Sequence, residues 1–400
     1  MLAELHMIQN FAPSNLNRDD ASAPKDCMFG GCRRARISSQ CQKRSIRAAF
    51  RQELIDRHDL AIRTRRVATA LTDRLVAAGH ERPRAESVVR LALRDTCLEP
   101  GADNRGKCLM FVGERELDAM AAAIDEHWQS LLDALDDAAT EHGRARRGRS
   151  AGDAGRGGAS SRLRAALEQS LDGGKAIDLA LFGRLVTDLP TSTITGACQV
   201  AHALSTHQVK PELDFFTAVD DLRPRGASRA EMVGALQFNS ACFYRYANID
   251  LEQLTSNLHG DQVKALQAAE LFLRAAVRAI PMGKQTSWAA HNPPSLVFLV
   301  VRDGGFWSLA NAFVDPVRPS ADGDLVGRSA VALLDYWQRL TRMYGSNDVR
   351  FAGLASLHDL PGADGSCAGS APIQTAAGLE DLIARTMAAL AASPEGATTA

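Results

Sequence analysis

The chain has 400 residues, 46% of them hydrophobic and 23% charged, and a formal net charge of -1. These are globular proportions, at a length that allows one elaborated domain or two to three smaller ones. The near-zero charge excludes a uniformly basic nucleic-acid binder, so any phosphate site must be a local concentration of cations.

Residues 2–11 alternate loosely and predict a strand. The start, MLAELHMIQNF, has neither a basic stretch nor a long apolar one, and no apolar run approaches the roughly 20 residues that span a bilayer. The expectation is a cytoplasmic chain without membrane attachment, and its eight scattered cysteines read as reduced thiols. A turn-rich loop, PSNLNRDD, follows the strand. Met28, Phe29, Gly30 and Gly31 open a strand or hairpin through Ile37. Ser38 and Ser39 are suited to cap a helix from about Gln40 to Ile55.

From about 57 to 140 the pattern is helical, with apolar stripes that include Leu71, Leu75, Leu117 and Met120. The stretch GRARRGRSAGDAGRGGASSR, 143–162, reads as a mobile loop. Ile177, Leu179 and Leu181 alternate as in a strand. Phe238, Ser240, Cys242, Tyr244 and Tyr246 share one strand face, and Phe243, Arg245 and Ala247 the other. Between them, HQVKPELDFFTAVDDLRPRG reads as a protruding hairpin or loop. A helix over 261–279, a strand over 295–302 and a helix over 325–343 follow. The Ala-, Gly- and Ser-rich tail from 361, with one short helix near 379–390, is expected to be loosely held. Strands at both ends around a helical stretch predict an α+β sheet that carries a helical insertion.

The densest charge comprises Arg33, Arg34, Arg36, Lys43, Arg44, Arg47 and Arg51, with no acid among them. On the predicted helix Lys43, Arg47 and Arg51 share a face, where like charges repel and an anion would relieve them. Phosphate does so, and Arg binds it with two donors. Helix-start groups at Ser38, Ser39 and Gln40 add anion-binding N–H donors, and Gly30 and Gly31 permit close backbone approach. Two readings stand: a phosphate groove, or a solvated basic helix face. Lys284 and Gln285, beside Trp288 and His291, form a second and weaker basic site. Phe215 and Phe216 fit either a core or a surface that wedges between bases.

Other chemistries are excluded. Cys27, Cys32 and Cys41 lack a C-x-x-C pair, and His202 and His207 lack the H-E-x-x-H pattern, so no metal site is expected. There is no phosphate-cradling Gly-Lys loop, nucleophile elbow or dinucleotide fingerprint, so no cofactor is expected. Asp19, Asp20, Asp220 and Asp221 read as turn acids, since metal-dependent cleavage needs several carboxylates brought together.

Five stretches, PSNLNRDD, FGGCRRARISSQ, THQVKPELDFFTAVDDL, FYRYANIDLEQL and SLANAF, resemble in order and composition the CasC family. This is the repeated backbone subunit of the type I-E CRISPR surveillance complex, Cascade. The resemblance covers roughly residues 4–345 and is weakest in the helical region, the Arg/Gly loop and the tail. It implies an RRM-like (ferredoxin-like) palm over 1–56 and 175–345, with a thumb hairpin at about 206–233. Helical fingers would span 57–174, including loop 143–162, and 346–400 would be a loosely ordered tail.

The resemblance further implies a non-enzymatic, oligomeric RNA-binding protein of antiviral defense. Copies stack along one crRNA, hold its sugar-phosphate backbone without sequence preference, and leave bases free to pair with target DNA beside other Cascade subunits. The family's backbone contacts fall on Arg18, Lys25, Ser38, Gln40, Lys43, Arg44, Arg47, Lys284 and Gln285. Its apolar wedge, the residue after a Gly-Arg pair, falls on Leu185, where Met would be expected. Phe215, Phe216 and Thr217 lie in the thumb. The reading from a different class is a metal-dependent RNA-cleaving CRISPR backbone subunit that uses a loop acid, Asp19 or Asp20.

Overall fold

In the computed structural model, Leu2–Ser14 form one long strand, β1, buried along most of its length because neighbours cover both of its faces. The structure describes residues 1–53, 56–94, 96, 98–145, 158–186, 190–218, 232–321, 323–360 and 371–392. After β1 come β2 (Asp26–Phe29), β3 (Cys32–Ile37), α1 (Ser39–Glu53), β4 (Ala61–Thr64), α2 (Val67–Ala77) and α3 (Arg82–Ala92). Then follow β5 (Met110–Gly113), α4 (Glu114–Glu126), α5 (Trp128–Ala145), α6 (Gly158–Gln169), α7 (Ile177–Phe182), β6 (Cys198–Val200) and β7 (Ala203–Ser205). The chain ends with β8 (Glu212–Ala218), β9 (Met232–Asp250), α8 (Leu251–Asn257), α9 (Gln262–Arg278), α10 (Gln285–Trp288), β10 (Leu296–Arg302), α11 (Val326–Tyr344), β11 (Val349–Ser356), β12 (Gln374–Thr375) and α12 (Leu379–Ala391).

The chain divides into two compact units: Met1–Glu53, Cys198–Glu252 and Ala265–Ala400 form one, and Leu54–Ala197 and Gln253–Lys264 the other. The first is built on a sheet in the order β12-β11-β10-β1-β9-β7-β3-β2, with β6 and β8 also paired to β9. Every pairing is antiparallel except β11 with β12.

Register decides what each face carries. His6 lies opposite both Phe298 and Tyr246, so Glu4, His6, Ile8, Tyr244, Tyr246 and Phe298 share a face. Leu333, Leu334 and Trp337 of α11 close over that face. Met7 lies opposite Arg245 and Gln9 opposite Phe243, which places them on the other face. There Arg245 reaches Gln42 of α1 and Ala276 of α9. Arg274 and Arg278 of α9 in turn pair with Glu380 of α12.

The second unit is mostly helical. Leu71, Leu75, Val88, Val89, Leu117, Met120, Ile124, Leu163 and Leu167 form its core. It also contains a small antiparallel pair, β4 with β5, which the helical periodicity of this region did not reveal.

Three expectations are corrected here. The run Ile177, Leu179, Leu181 is helix α7, not a strand: Ile177 through Leu181 are all buried, and a short segment covered on every side has no period to read. The Arg/Gly stretch is helical at its described ends, in α5 to Ala145 and in α6 from Gly158, while 146–157 lie outside the described residues. The described part of the C-terminal region is not loosely held. β11 joins the sheet beside β10, and α12 buries Leu382, Ile383 and Leu390.

Candidate nucleic-acid interface

The hairpin β2–β3 turns on Gly30 and Gly31, at φ 59° and 74°, with Phe29 paired to Cys32. Two consecutive positive φ values suit the right-handed twist of a two-residue hairpin and favour glycine. The hairpin leads into Ser38, whose Oγ accepts the Cys41 N–H at 3.3 Å and caps α1. Ser38's own N–H donates to Asn17 Oδ1 at 2.8 Å, so the helix start is pinned to the 15–25 loop. Along α1, Gln42, Ser45, Ile46 and Phe50 face inward. Gln40 and Arg44 are exposed and Lys43 and Arg47 half-buried, so these side chains make the outer face.

The same loop gathers the remaining cations. The Lys25 N–H donates to Asn17 O at 2.8 Å, and its carbonyl accepts the Arg36 N–H at 2.9 Å. Arg18 sits across a bridge from Pro24. On the loop's other side Gly283 lies against Leu16: a Cβ there would be 2.2 Å from the Leu16 carbonyl oxygen. This brings Lys284, held at φ 54°, against the same loop. Arg18, Lys25, Arg44 and Lys284 have no carboxylate within ion-pair distance among the described residues. Three separate chain segments thus set cations around residues 15–25.

Some members of the basic strip serve the fold instead. Arg34 is fully buried and donates to the carbonyls of Phe29, Ser205, Phe313 and Val314. Arg33 pairs with Asp26. Arg36 donates to Asp26 O and to His202 Nδ1 at 3.0 Å. Burial first, then Arg36 and Lys25, hold His202 below its usual pKa, consistent with a neutral ring accepting from Arg36.

Two expected contact residues are turned inward. Gln285 is buried and donates Nε2 to Pro281 O at 2.9 Å and to Ala290 O at 3.3 Å, holding its own loop closed. Ser38 is buried with its hydroxyl engaged in the cap. Asn17 and Gln42, which organise the site, were not singled out by the sequence. The only trace of Asn17 was its place in the PSNLNRDD stretch.

β8 and β9 form a hairpin in which Phe216 lies opposite Gly234 and Thr217 opposite Val233. Phe215 is 70% exposed, and the Phe216 ring lies across Gly234. The Thr217 side chain and residues 219–231 lie outside the described residues. Phe238, at the hairpin's root, packs on Trp288 at 4.9 Å between ring centroids, beside the Lys284 loop. Leu185 belongs to the second unit and is 84% exposed. Asp19 spends a carboxylate oxygen on the Ala23 N–H at 2.9 Å, within its own turn. Among the described residues no group of three or more His, Cys, Asp or Glu could hold a metal ion, and no helix is long and apolar enough to cross a membrane.

The architecture has counterparts among known proteins. The chain belongs to the CT1975-like protein family, whose model matches residues 3–375. A chain from a CRISPR RNA-guided surveillance complex in a pre-nicking state is similar over 97% of this chain and 100% of its own, with a TM-score of 0.79 and 28% identity. A second chain from a CRISPR RNA-guided surveillance complex is similar over the same shares, with a TM-score of 0.69 and 26% identity. The protein therefore has the fold of a CRISPR surveillance-complex subunit. No curated protein matches the chain.

Proposed function

We propose that this protein is the repeated backbone subunit of a type I-E Cascade complex. It grips crRNA by phosphate and ribose, independently of sequence, and stacks with copies of itself so that bases face target DNA. The RRM-like palm of this reading is the sheet of the first unit, and its thumb is the β8–β9 hairpin. The protein acts without catalysis, metal or cofactor, in the cytoplasm.

The observation that carries the reading is the convergence of Arg18, Lys25 and Lys284 with the outer face of α1 (Gln40, Lys43, Arg44 and Arg47) around one loop. Cations from three segments in one place fit a chain of phosphates, and guides of differing sequence demand contacts that avoid base edges. Phe215, Phe216 and the exposed Leu185 serve as apolar surfaces against which bases are displaced. Gln285 and Ser38 support the site from within rather than touching RNA.

The test is Lys43→Glu with Arg47→Glu, purified with the other complex subunits. Guide RNA is lost and the 260/280 absorbance ratio falls to that of protein, while the monomer's melting curve stays in place. Normal RNA content in this variant rejects the groove. Cleavage of complementary RNA with Mg²⁺, abolished by Asp20→Ala, rejects the non-catalytic assignment.

A further inference from the structure

Leu185 stands out among the large apolar side chains: it is 84% exposed, between Arg184 at 5% and Val186 at 6%. Val186 is sealed into the helical core. A leucine set outward between two anchored neighbours is held out by its surroundings. The anchor on the N-terminal side is unusually complete. Arg184 Nη1 donates to Glu116 Oε2 at 2.7 Å and to Phe111 O at 3.2 Å. Its Nε donates to Ser192 O at 2.9 Å and its Nη2 to Leu171 O at 2.8 Å.

Glu116 is equally committed. Its Oε2 also accepts the Gly113 N–H at 2.7 Å, and its Oε1 the Gly173 N–H at 2.6 Å. Both side chains are essentially sealed from solvent, at 2% and 0%. The backbone of Arg184 is clamped as well: its N–H donates to Ile194 O at 2.9 Å, and its carbonyl accepts the Ile194 N–H at 2.8 Å. One guanidinium thus ties together β5, the start of α4, Leu171 just past α6, and Ser192, with Leu185 as the next residue.

We infer that Arg184 and Glu116 are positioning residues that fix Leu185 as a rigid apolar tip, so that a nucleobase is displaced at a set point rather than wherever a flexible loop happens to reach. The inference rests on the assignment of Leu185 to base displacement made above. A planar fork satisfied by four acceptors has one orientation, which a lysine ammonium in its place would not reproduce. A displacement step gains from such preorganisation because the bound strand then does not bear the ordering cost. Glu116→Gln keeps the shape and removes the charge; Arg184→Lys keeps the charge and removes the fork.

The probe is a single-stranded RNA carrying 2-aminopurine at successive positions, bound by the protein in its assembled complex. Wild type brightens the probe at regularly spaced, unstacked positions. Leu185→Ala loses that brightening and Leu185→Met keeps it. In Glu116→Gln and Arg184→Lys the brightening falls about threefold or more, as expected for contacts coupled this closely. RNA affinity and the salt slope stay as in wild type, which a general weakening of the fold would not produce.

Full periodic brightening in either folded variant overturns the positioning role. Absence of periodic brightening in wild type, or its survival in Leu185→Ala, instead overturns the base-displacement assignment itself. Should neither variant fold, amide exchange of wild type decides: the Arg184 N–H is expected among the slowest of its unit, and exchange at open-loop rates rejects a rigid mount.

Discussion

Gln42 Oε1 accepts a hydrogen bond from Arg245 Nε at 3.2 Å, between α1 and the centre of the sheet. The same guanidinium donates to Gln9 Oε1 at 2.5 Å and to Ala276 O at 2.9 Å. Gln42 Nε2 meanwhile donates to Ala201 O at 2.7 Å. Burial pulls the Arg245 pKa down to about 10, so the charge persists at neutral pH but depends on these acceptors. The cationic face of α1 is thus held by a buried polar contact on its opposite side. Gln42→Leu leaves Arg245 short of an acceptor and should destabilise by about 1–3 kcal/mol. Adding Arg245→Met removes the stranded charge, and part of the loss should return. Urea unfolding of both variants checks this. Strictly additive losses would refute the coupling.

How much of this was legible beforehand depends on the distance between partners in the sequence. Helix α1 was readable because its cap at Ser38 and its periodic inward face lie within one stretch. The hairpin turn was readable because Gly-Gly is one of the few pairs that favour two positive φ values in a row. The division of labour within the basic strip was not. Arg34 looks like its neighbours until Ser205 and Phe313 are seen supplying the carbonyls that bury it. Gln285 likewise reads as a partner of Lys284, and only the folded loop shows Gln285 turned inward to hold that loop closed. The helix α7 and the four-residue strands β4 and β5 are too short, and α7 too evenly buried, to leave a period.

The α11 face of the sheet gives a pH signature. Glu4 Oε1 accepts from Tyr246 Oη at 2.9 Å and from the Trp307 N–H at 2.5 Å, yet burial outweighs these contacts and Arg302, pushing its carboxyl up to about 6. His6 Nδ1 lies 2.9 Å from Tyr244 Oη, which also accepts the Leu309 N–H. Burial, then Arg302, pulls His6 down to about 3. An unfolded His takes its proton near pH 6.5. The unfolded chain therefore binds more protons at this site between about pH 6.5 and 3, and acid weakens the fold there. Glu4 acts oppositely. The folded chain keeps its proton up to about 6 and the unfolded chain only to the ordinary glutamate value of 4.5, so acid strengthens the fold across that window. Glu4→Gln removes the opposing contribution, and the variant should lose about 2 kcal/mol more than wild type between pH 6 and 4.5. Urea unfolding across that range tests it, and parallel stability curves would sink the assignment.

Gly283 tests the link between the two basic segments. Its missing side chain lets the loop sit against the Leu16 carbonyl, where a Cβ would be 2.2 Å from the oxygen. Gly283→Ala must push the loop outward and take Lys284 with it. RNA affinity should fall, and the log–log salt slope should become shallower by about 0.7, the share of one phosphate contact on a single strand. Lys284→Ala should give the same slope. Fluorescence anisotropy at several salt concentrations measures both. A slope equal to wild type in either variant would mean that Lys284 touches no phosphate.

Deleting the β8–β9 hairpin distinguishes its part in the fold from its part in the proposed assembly. Among the described strands β8 pairs with β9 alone, and Leu213 and Phe215 on it are exposed at 56% and 70%. It adds little to the core: β9 remains paired to β1 from Asn239 to Asp250 whether or not β8 is present. Apolar side chains held in solvent favour a surface that is covered in a larger particle. Deleting 210–230 should leave the monomer's melting temperature within a few degrees of wild type, because little apolar area is lost from the interior. Under the proposed stacking along RNA, ordered growth should stop, since bridging from copy to copy would convert weak individual grips into tight filament binding. Melting curves of the monomer and electron micrographs of the RNA-bound complex measure the two effects independently. Filaments of normal length from the shortened chain would show that copies meet through some other surface, and a collapse of the monomer's melting temperature would show that the hairpin belongs to the fold after all.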